Sequence, residues 1–271
     1  MSNEIAENLV ERYVNTLESI AKEIPNADSI DKEYELILKL DHIILNDLYT
    51  REEEEEILKK MDESYKLAIQ KLYVSFETKI EMSIDDLLNN YKNSEEFLFS
   101  EKRNVIVPYF NRYTELVKRE CENLCATSSD KVLWIGSGPF PVSAILLNEL
   151  NGCHIDCIDI SENAIKNSSH ILNNFSKENS ITVTQQNGTD VNVKDYSIII
   201  IGVLAAPINP IIENILKNMR PETKILKRVT YGLRNLIYPT TMISVEISNY
   251  PINNKDRACG DQVISHIIYN C

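Results

Sequence analysis

Basic residues are in short supply. Against 41 aspartates and glutamates the 271 residues offer 28 lysines and arginines, a formal net charge of −13. No basic surface is left to neutralise phosphates, so nucleic acid is excluded as a partner, and anionic membranes are disfavoured on the same ground. Long apolar runs are missing as well. The longest, Ile198 to Ile208, is far short of a bilayer span, and the N-terminus has no charged stretch followed by an apolar one. No membrane partner is expected, and the chain reads as cytoplasmic. Metal-ligand spacing is absent too. Cys121 and Cys125, like Cys153 and Cys157, are spaced C-x3-C instead of the C-x2-C of zinc knuckles, with Cys259 and Cys271 apart from both pairs. His42, His154, His170 and His266 are scattered. Reduced thiols and no protein-bound metal are the expectation. Neither an internal repeat nor a low-complexity segment occurs.

What is present is organised around Lys131 to Ser143, KVLWIGSGPFPVS. The apolar run Val132 to Ile135 reads as a buried parallel strand, and Gly136-Ser137-Gly138 follows where a strand must turn tightly into a helix, roughly Pro141 to Leu150. A second strand, His154 to Ile160, carries Asp159, 23 residues beyond Gly136. That is near the spacing at which an acid meets ribose hydroxyls in a doubly wound nucleotide site. A dinucleotide fingerprint wants glycine at position 141, and this chain has Pro141, with Pro139 before it. The loop suits S-adenosylmethionine better, since that ligand has no phosphate, presents a ribose diol and carries an amino-acid tail for backbone groups to hold.

Residues 1–126 show helical periodicity and almost no strand signal. A long helix is expected over Arg51 to Glu81, with Glu52 to Glu56 as a solvated face near the positive end of its dipole. Ile57, Met61, Tyr65, Ile69, Leu72, Phe76 and Ile80 form its inner stripe. Tyr73, Glu77 and Glu81 make the row beside it, where surface salt bridges are the default and catalysis the sharper reading. In Asn104 to Tyr113, NVIVPYFNRY, the rings of Tyr109, Phe110 and Tyr113 crowd around Pro108, which is expected to start a helix running to Cys125. They read either as an aromatic plug or as a hydroxyl placed to orient a substrate amine.

From residue 127 onward strands alternate with helices, the pattern of an α/β doubly wound parallel sheet. Strands are expected over 131–135, 154–160, 181–185, 196–201 and 223–229, with two more, 242–248 and 262–269, closing the sheet as an antiparallel pair. Asn187-Gly188-Thr189-Asp190 follows strand three. It is either an adenine-holding loop, with Asp190 on the exocyclic amine, or only a turn. Gly202-Val203-Leu204 sits at the carboxyl edge of strand four, over the pocket.

Four of these segments, in order over residues 72–271, resemble the nicotianamine synthases and their bacterial relatives that make opine-type metallophores of the staphylopine and pseudopaline type. Leu133 to Pro141, LWIGSGPFP, is similar to the family's V-G-S-G-P-L-P loop. Val107 to Tyr113 resembles F-P-Y-Y-x-N-Y. Arg228 to Pro239, RVTYGLRNLIYP, is similar to R-S-A-H-G-x-R-x-F-L-Y-P, and the C-terminal stretch follows the family's last two strands. The resemblance implies an N-terminal helical bundle followed by a Rossmann-like S-adenosylmethionine-dependent transferase domain. It also implies transfer of the 3-amino-3-carboxypropyl arm onto a small-molecule amino-acid acceptor, histidine favoured, with release of methylthioadenosine. Self-condensation of arms, methyl transfer and ligand binding without turnover stay as alternatives. Glu81 and Tyr109 match the family's catalytic positions, with Glu77 in reserve. Gly136, Ser137, Gly138, Pro139, Asp159, Ile160, Gly188, Asp190 and Gly202 are implied at the S-adenosylmethionine site. Arg228, Arg234 and Tyr113 are placed with the acceptor or the arm; for each arginine a structural salt bridge is the competing reading. A homodimer is the expected assembly. Thr230-Tyr231 and Arg112 depart from the family's pattern, which points to a different acceptor pocket from the plant enzymes.

Overall fold

Among the residues described by the computed structural model, 2–46, 49–90, 103–239 and 251–270, helices lead and a sheet follows. The helices are α1 (Ser2–Glu23), α2 (Ile30–Ile44), α3 (Arg51–Lys60), α4 (Glu63–Asn90) and α5 (Arg103–Leu124). The strands are β1 (Lys131–Ile135), β2 (His154–Asp159), β3 (Ile181–Gln185), β4 (Ile198–Ile201), β5 (Lys224–Val229), β6 (Ile252–Asp256) and β7 (Ser265–Asn270). Between them run α6 (Val142–Asn151), α7 (Glu162–Asn174) and α8 (Ile208–Asn218).

The single helix expected over Arg51 to Glu81 is two. Met61 takes an extended backbone, φ −64° and ψ 140°, because Asp62 starts a new helix: its Oδ1 accepts from Ser64 N at 2.7 Å and from Ser64 Oγ at 2.5 Å. An N-cap inside a periodic run outweighs the periodicity. The inner stripe survives the break, with Ile57, Met61, Ile69, Leu72, Phe76 and Ile80 all buried. Pro108 does not start α5 but lies inside it, where its missing N–H deprives the helix of one backbone hydrogen bond.

The sheet runs β3-β2-β1-β4-β5-β7-β6. β1 pairs in parallel with β2 and β4, β2 with β3, and β4 with β5. β6 and β7 are antiparallel. The strand expected at 242–248 lies outside the described residues; the antiparallel partner seen here is 252–256. All four isoleucines of β4 are buried, as a central strand covered on both faces requires. Ile199 and Ile201 join Leu133, Ile135 and Ile225 against Ile208, Ile211, Ile212 and Ile215 of α8, and each such side chain contributes about 1.5–3 kcal/mol by leaving water. The chain proceeds outward from β1 through β2 to β3, then returns to β4. This puts the switch point, where such sheets hold ligands, at the carboxyl ends of β1 and β4.

By contacts the chain divides into two compact units. One comprises Met1–Thr78, Thr230–Thr240 and Arg257–Ser265; the other comprises Lys79–Val229, Thr241–Asp256 and His266–Cys271. Periodicity changes at residue 127, whereas packing groups the end of α4 and all of α5 with the sheet. α5 lies against α6, and Lys224 Nζ donates to the Leu124 carbonyl at its last turn, 2.6 Å. A change of period marks a change of secondary structure and says nothing of packing partner.

Within the first unit, Glu54 corrects the expectation of a solvated acidic face. It lies three residues before Ile57 on the inward side of α3 and is buried. Its carboxylate accepts from Leu233 N at 3.4 Å and pairs with Arg257 at 3.2 Å. Its neighbour Glu53 closes a capping box with Thr50. No helix among the described residues is long and apolar enough to cross a membrane.

Candidate active site

The loop after β1 is tied down from its amide side. Gly136 N and Ser137 N both donate to the Ile158 carbonyl, at 2.9 and 3.3 Å, and Gly138 N donates to Asp159 Oδ2 at 3.0 Å. Asp159 Oδ1 accepts from Ser161 N at 2.9 Å. The acid at the end of β2 therefore builds the loop. Each carboxylate oxygen retains a second lone pair for a ligand hydroxyl. Among the described residues Ser137 Oγ is a buried hydroxyl with no hydrogen-bond partner, and Pro139 completes the turn.

Gly138 is held at φ +71°, a conformation that disfavours any side chain, and a Cβ there would stand 3.2 Å from Glu81 Oε2. Gly202 meets a different constraint: a Cβ on it would stand 2.8 Å from the Gly136 carbonyl oxygen and 3.2 Å from that of Ile135. The ends of β1 and β4 approach this closely only because position 202 is bare.

Over the loop stands a carboxylate–phenol pair. Tyr109 OH donates to Glu81 Oε1 at 2.5 Å, a charge-assisted bond at the short end of the range for O–H···O⁻. Glu81 Oε2 is the atom facing Gly138. The two residues are 28 positions apart, on α4 and α5. Tyr109 is buried and packs on Tyr113, ring centroids 4.7 Å apart, and on Phe110, which meets Phe140 of the loop at 5.3 Å. The aromatic cluster is thus both plug and support, and it presents one phenol to a carboxylate.

Around this core two apolar side chains are left in the open. Ile160, directly after Asp159, is 64% exposed, and Leu204, just past β4, is 48% exposed. Gly188 is buried and its carbonyl accepts from Asn214 Nδ2 at 3.2 Å, while Asp190 is exposed at the turn that follows β3.

Three further expected residues meet partners from the protein itself. Arg228 is buried and forks onto Glu120, Nε to Oε1 and Nη2 to Oε2, both at 2.8 Å. Nη2 also donates to Ser143 Oγ at 3.0 Å, and the guanidinium stacks on Trp134 at 4.8 Å. Its fork is filled by Glu120, the partnership that the salt-bridge reading expects. Arg234, in the first unit, donates from Nε to the Gln262 carbonyl at 2.7 Å and from Nη2 to that of Gly260 at 2.9 Å. It ties a loop by its backbone. Glu77, in the same unit, accepts from the Tyr238 hydroxyl.

Sequence reasoning missed Glu120 and Asn167. Asn167, on α7, donates from Nδ2 to the Pro139 carbonyl at 3.0 Å and to the Glu81 carbonyl at 3.4 Å. The available signal was positional, since Asn167 sits between the buried Ala164 and Ile171 at helical spacing, an inward place for a polar amide. No group of three or more His, Cys, Asp or Glu is placed to hold a metal among the described residues. Cys121, Cys125, Cys153, Cys157 and Cys259 are free thiols, and burial pushes that of Cys153 up to about 11.

A family profile described as "Nicotianamine synthase protein" matches residues 2–270. Nicotianamine synthase 2 of Arabidopsis thaliana is 27% identical over 146 residues, 49% of this chain and 46% of that one. The L-histidine 2-aminobutanoyltransferase of Pseudomonas aeruginosa is 24% identical over 160 residues, 57% of each. In these alignments the chain spans about half the length of the curated relatives. A solved structure of MtNAS in complex with MTA and tNA superposes with a TM-score of 0.84 over 96% of this chain and 98% of that one, at 19% identity. At that identity the likeness speaks for the fold, helices followed by a Rossmann-like sheet.

Proposed function

The chain belongs to the nicotianamine synthase family, and from that premise we propose that it transfers the 3-amino-3-carboxypropyl group of S-adenosylmethionine to the amine of an amino acid, histidine favoured, releasing methylthioadenosine. The observation that carries this is the Glu81–Tyr109 pair set against Gly138.

The residues present fit such a ligand. Ser137 Oγ is a buried hydroxyl awaiting a partner, Asp159 offers lone pairs to a ribose diol, and Ile160 and Leu204 offer apolar surface to a purine. A sulfonium activates each of its three carbon substituents to attack, so the protein selects the bond by placement. The acceptor nitrogen bonds the arm's γ-carbon as the carbon–sulfur bond breaks and its electron pair returns to sulfur. Glu81 takes the proton lost by the amine, and Tyr109 holds that carboxylate in place and can relay the proton through its hydroxyl. Gly138 lets Glu81 come down onto the loop, which keeps base and sulfonium tail together.

Incubation with S-adenosylmethionine and each amino acid in turn tests the reading. Methylthioadenosine with a histidine adduct supports it; adenosylhomocysteine with a methylated product overturns it in favour of methyl transfer. Similarity to the Arabidopsis synthase favours a second reading, in which the acceptor amine belongs to another S-adenosylmethionine. Methylthioadenosine released from S-adenosylmethionine alone identifies that case.

A further inference from the structure

The loop after β1 has a shortage of donors on one side. Pro139 and Pro141 have no N–H, and the amides of Gly136, Ser137 and Gly138 are all spent on Ile158 and Asp159. The Phe140 carbonyl accepts from Val142 N at 2.8 Å, whereas the Pro139 carbonyl is met from another element. Asn167 supplies the donor: its Nδ2 reaches the Pro139 carbonyl at 3.0 Å and the Glu81 carbonyl at 3.4 Å. Both partners are carbonyl oxygens, so the amino end of the carboxamide must face them, one proton to each.

We propose that Asn167 is a positioning residue that clamps the backbone of Glu81 to the loop at Pro139, and so fixes where the Glu81 carboxylate stands relative to the reacting centre. This rests on the reading of Glu81 as proton acceptor. The clamp works through the main chain. With its Cα held, Glu81 directs Oε1 to Tyr109 and Oε2 to Gly138. Tyr109 holds one carboxylate oxygen, and the backbone bond of Asn167 sets the helix against the loop. Asparagine is needed because the site wants two donors on one atom. Aspartate, of the same size, turns donors into an acceptor facing two carbonyls and pushes α4 and the loop apart.

The test compares the parent with Asn167→Asp, Asn167→Ala and Asn167→Gln for methylthioadenosine release, and measures S-adenosylmethionine binding separately by calorimetry. The expected result is a kcat lowered by about 10- to 100-fold in the Asp and Ala variants, the scale of a misplacement near 1 Å. The dissociation constant should change by less than about threefold, since the loop keeps its fastening through Asp159. Asn167→Gln, which retains the donors, recovers part of the loss. Tyr109→Phe costs less in the Asn167→Ala background than in the parent, because the two residues hold one carboxylate. A fall in binding that accounts for the whole fall in turnover, or additive losses in the double variant, overturns the proposal. If the parent transfers no arm to any acceptor, the proposed reaction fails, and the clamp is judged by the crystal structure of Asn167→Asp. A Glu81 carboxylate displaced from Gly138 supports it, and one in place overturns it.

Discussion

Replacing Glu120 with glutamine tests whether Arg228 belongs to the framework or to the substrate. The pair is almost fully enclosed, with side-chain exposures of 6% for Arg228 and 1% for Glu120, and it is bidentate at 2.8 Å. Glu120→Gln keeps the shape and removes the charge, leaving a buried guanidinium with Ser143 Oγ, the face of Trp134 and the nearby phenols of Tyr113 and Tyr109. Breaking a buried pair by neutralising one member costs about 3–5 kcal/mol. The hydroxyl and the ring hold the guanidinium partly satisfied, which puts the expectation near 3 kcal/mol. For a chain of this size that is a fall in Tm on the order of 10 °C. The double variant Glu120→Leu, Arg228→Met removes both charges and should recover most of the loss, as apolar replacements of buried pairs do. Urea unfolding followed by circular dichroism gives the stabilities, and steady-state kinetics gives KM for the acceptor in each variant. An unchanged unfolding midpoint in Glu120→Gln, together with a raised acceptor KM in Arg228→Met, would refute the structural assignment and return Arg228 to the substrate.

Other outcomes follow from the same geometry. Glu81→Gln should bind S-adenosylmethionine within a few-fold of the parent and lose about 100-fold in kcat, the scale of removing a general base; a full-rate variant would show that the proton leaves by another route. Gly202→Ala puts a methyl 2.8 Å from the Gly136 carbonyl oxygen, so S-adenosylmethionine binding by calorimetry should fall by at least tenfold, and unaltered binding would mean that β1 and β4 part without disturbing the loop. Lys227 is buried on β5, and burial lowers its pKa to about 8. Between about pH 8 and its unfolded value near 10.5 the unfolded chain binds the extra proton, so stability rises with pH through that window. Urea titrations of the parent against Lys227→Met should show the parent gaining as pH climbs from 8 towards 10.5, and a flat difference would overturn the lowered pKa.

The sheet and its ligand-holding end were legible in the chain because their determinants are local. Four consecutive isoleucines specify a strand buried on both faces, and Gly136-Ser137-Gly138 specifies the tight exit from β1. The step from there to Asp159 is a matter of counting along one crossover. Local rules also misled where two of them competed. The period of 57–80 is continuous, and only the Asp62 side chain bonding to Ser64 shows why two helices share one stripe. Glu54 looked like one of five solvated acids, yet its place three residues before Ile57 put it on the inward face.

What the linear order left undecided was partnership. Glu81 could have been a surface acid, and Tyr109 a piece of core; their pairing across 28 residues makes them a candidate base and its holder. Arg228 was equally suited to a ligand carboxylate and to Glu120, 108 residues away, and it is the fold that brings Glu120 to it. Asn167 had no motif to mark it, since its role exists only where α7 brings a carboxamide to the carbonyls of two other segments. Hydropathy period and turn chemistry are properties of neighbours in the chain, and they set the elements. Which charge or donor meets which acceptor depends on the faces that come together when those elements pack, and only the folded chain determines that.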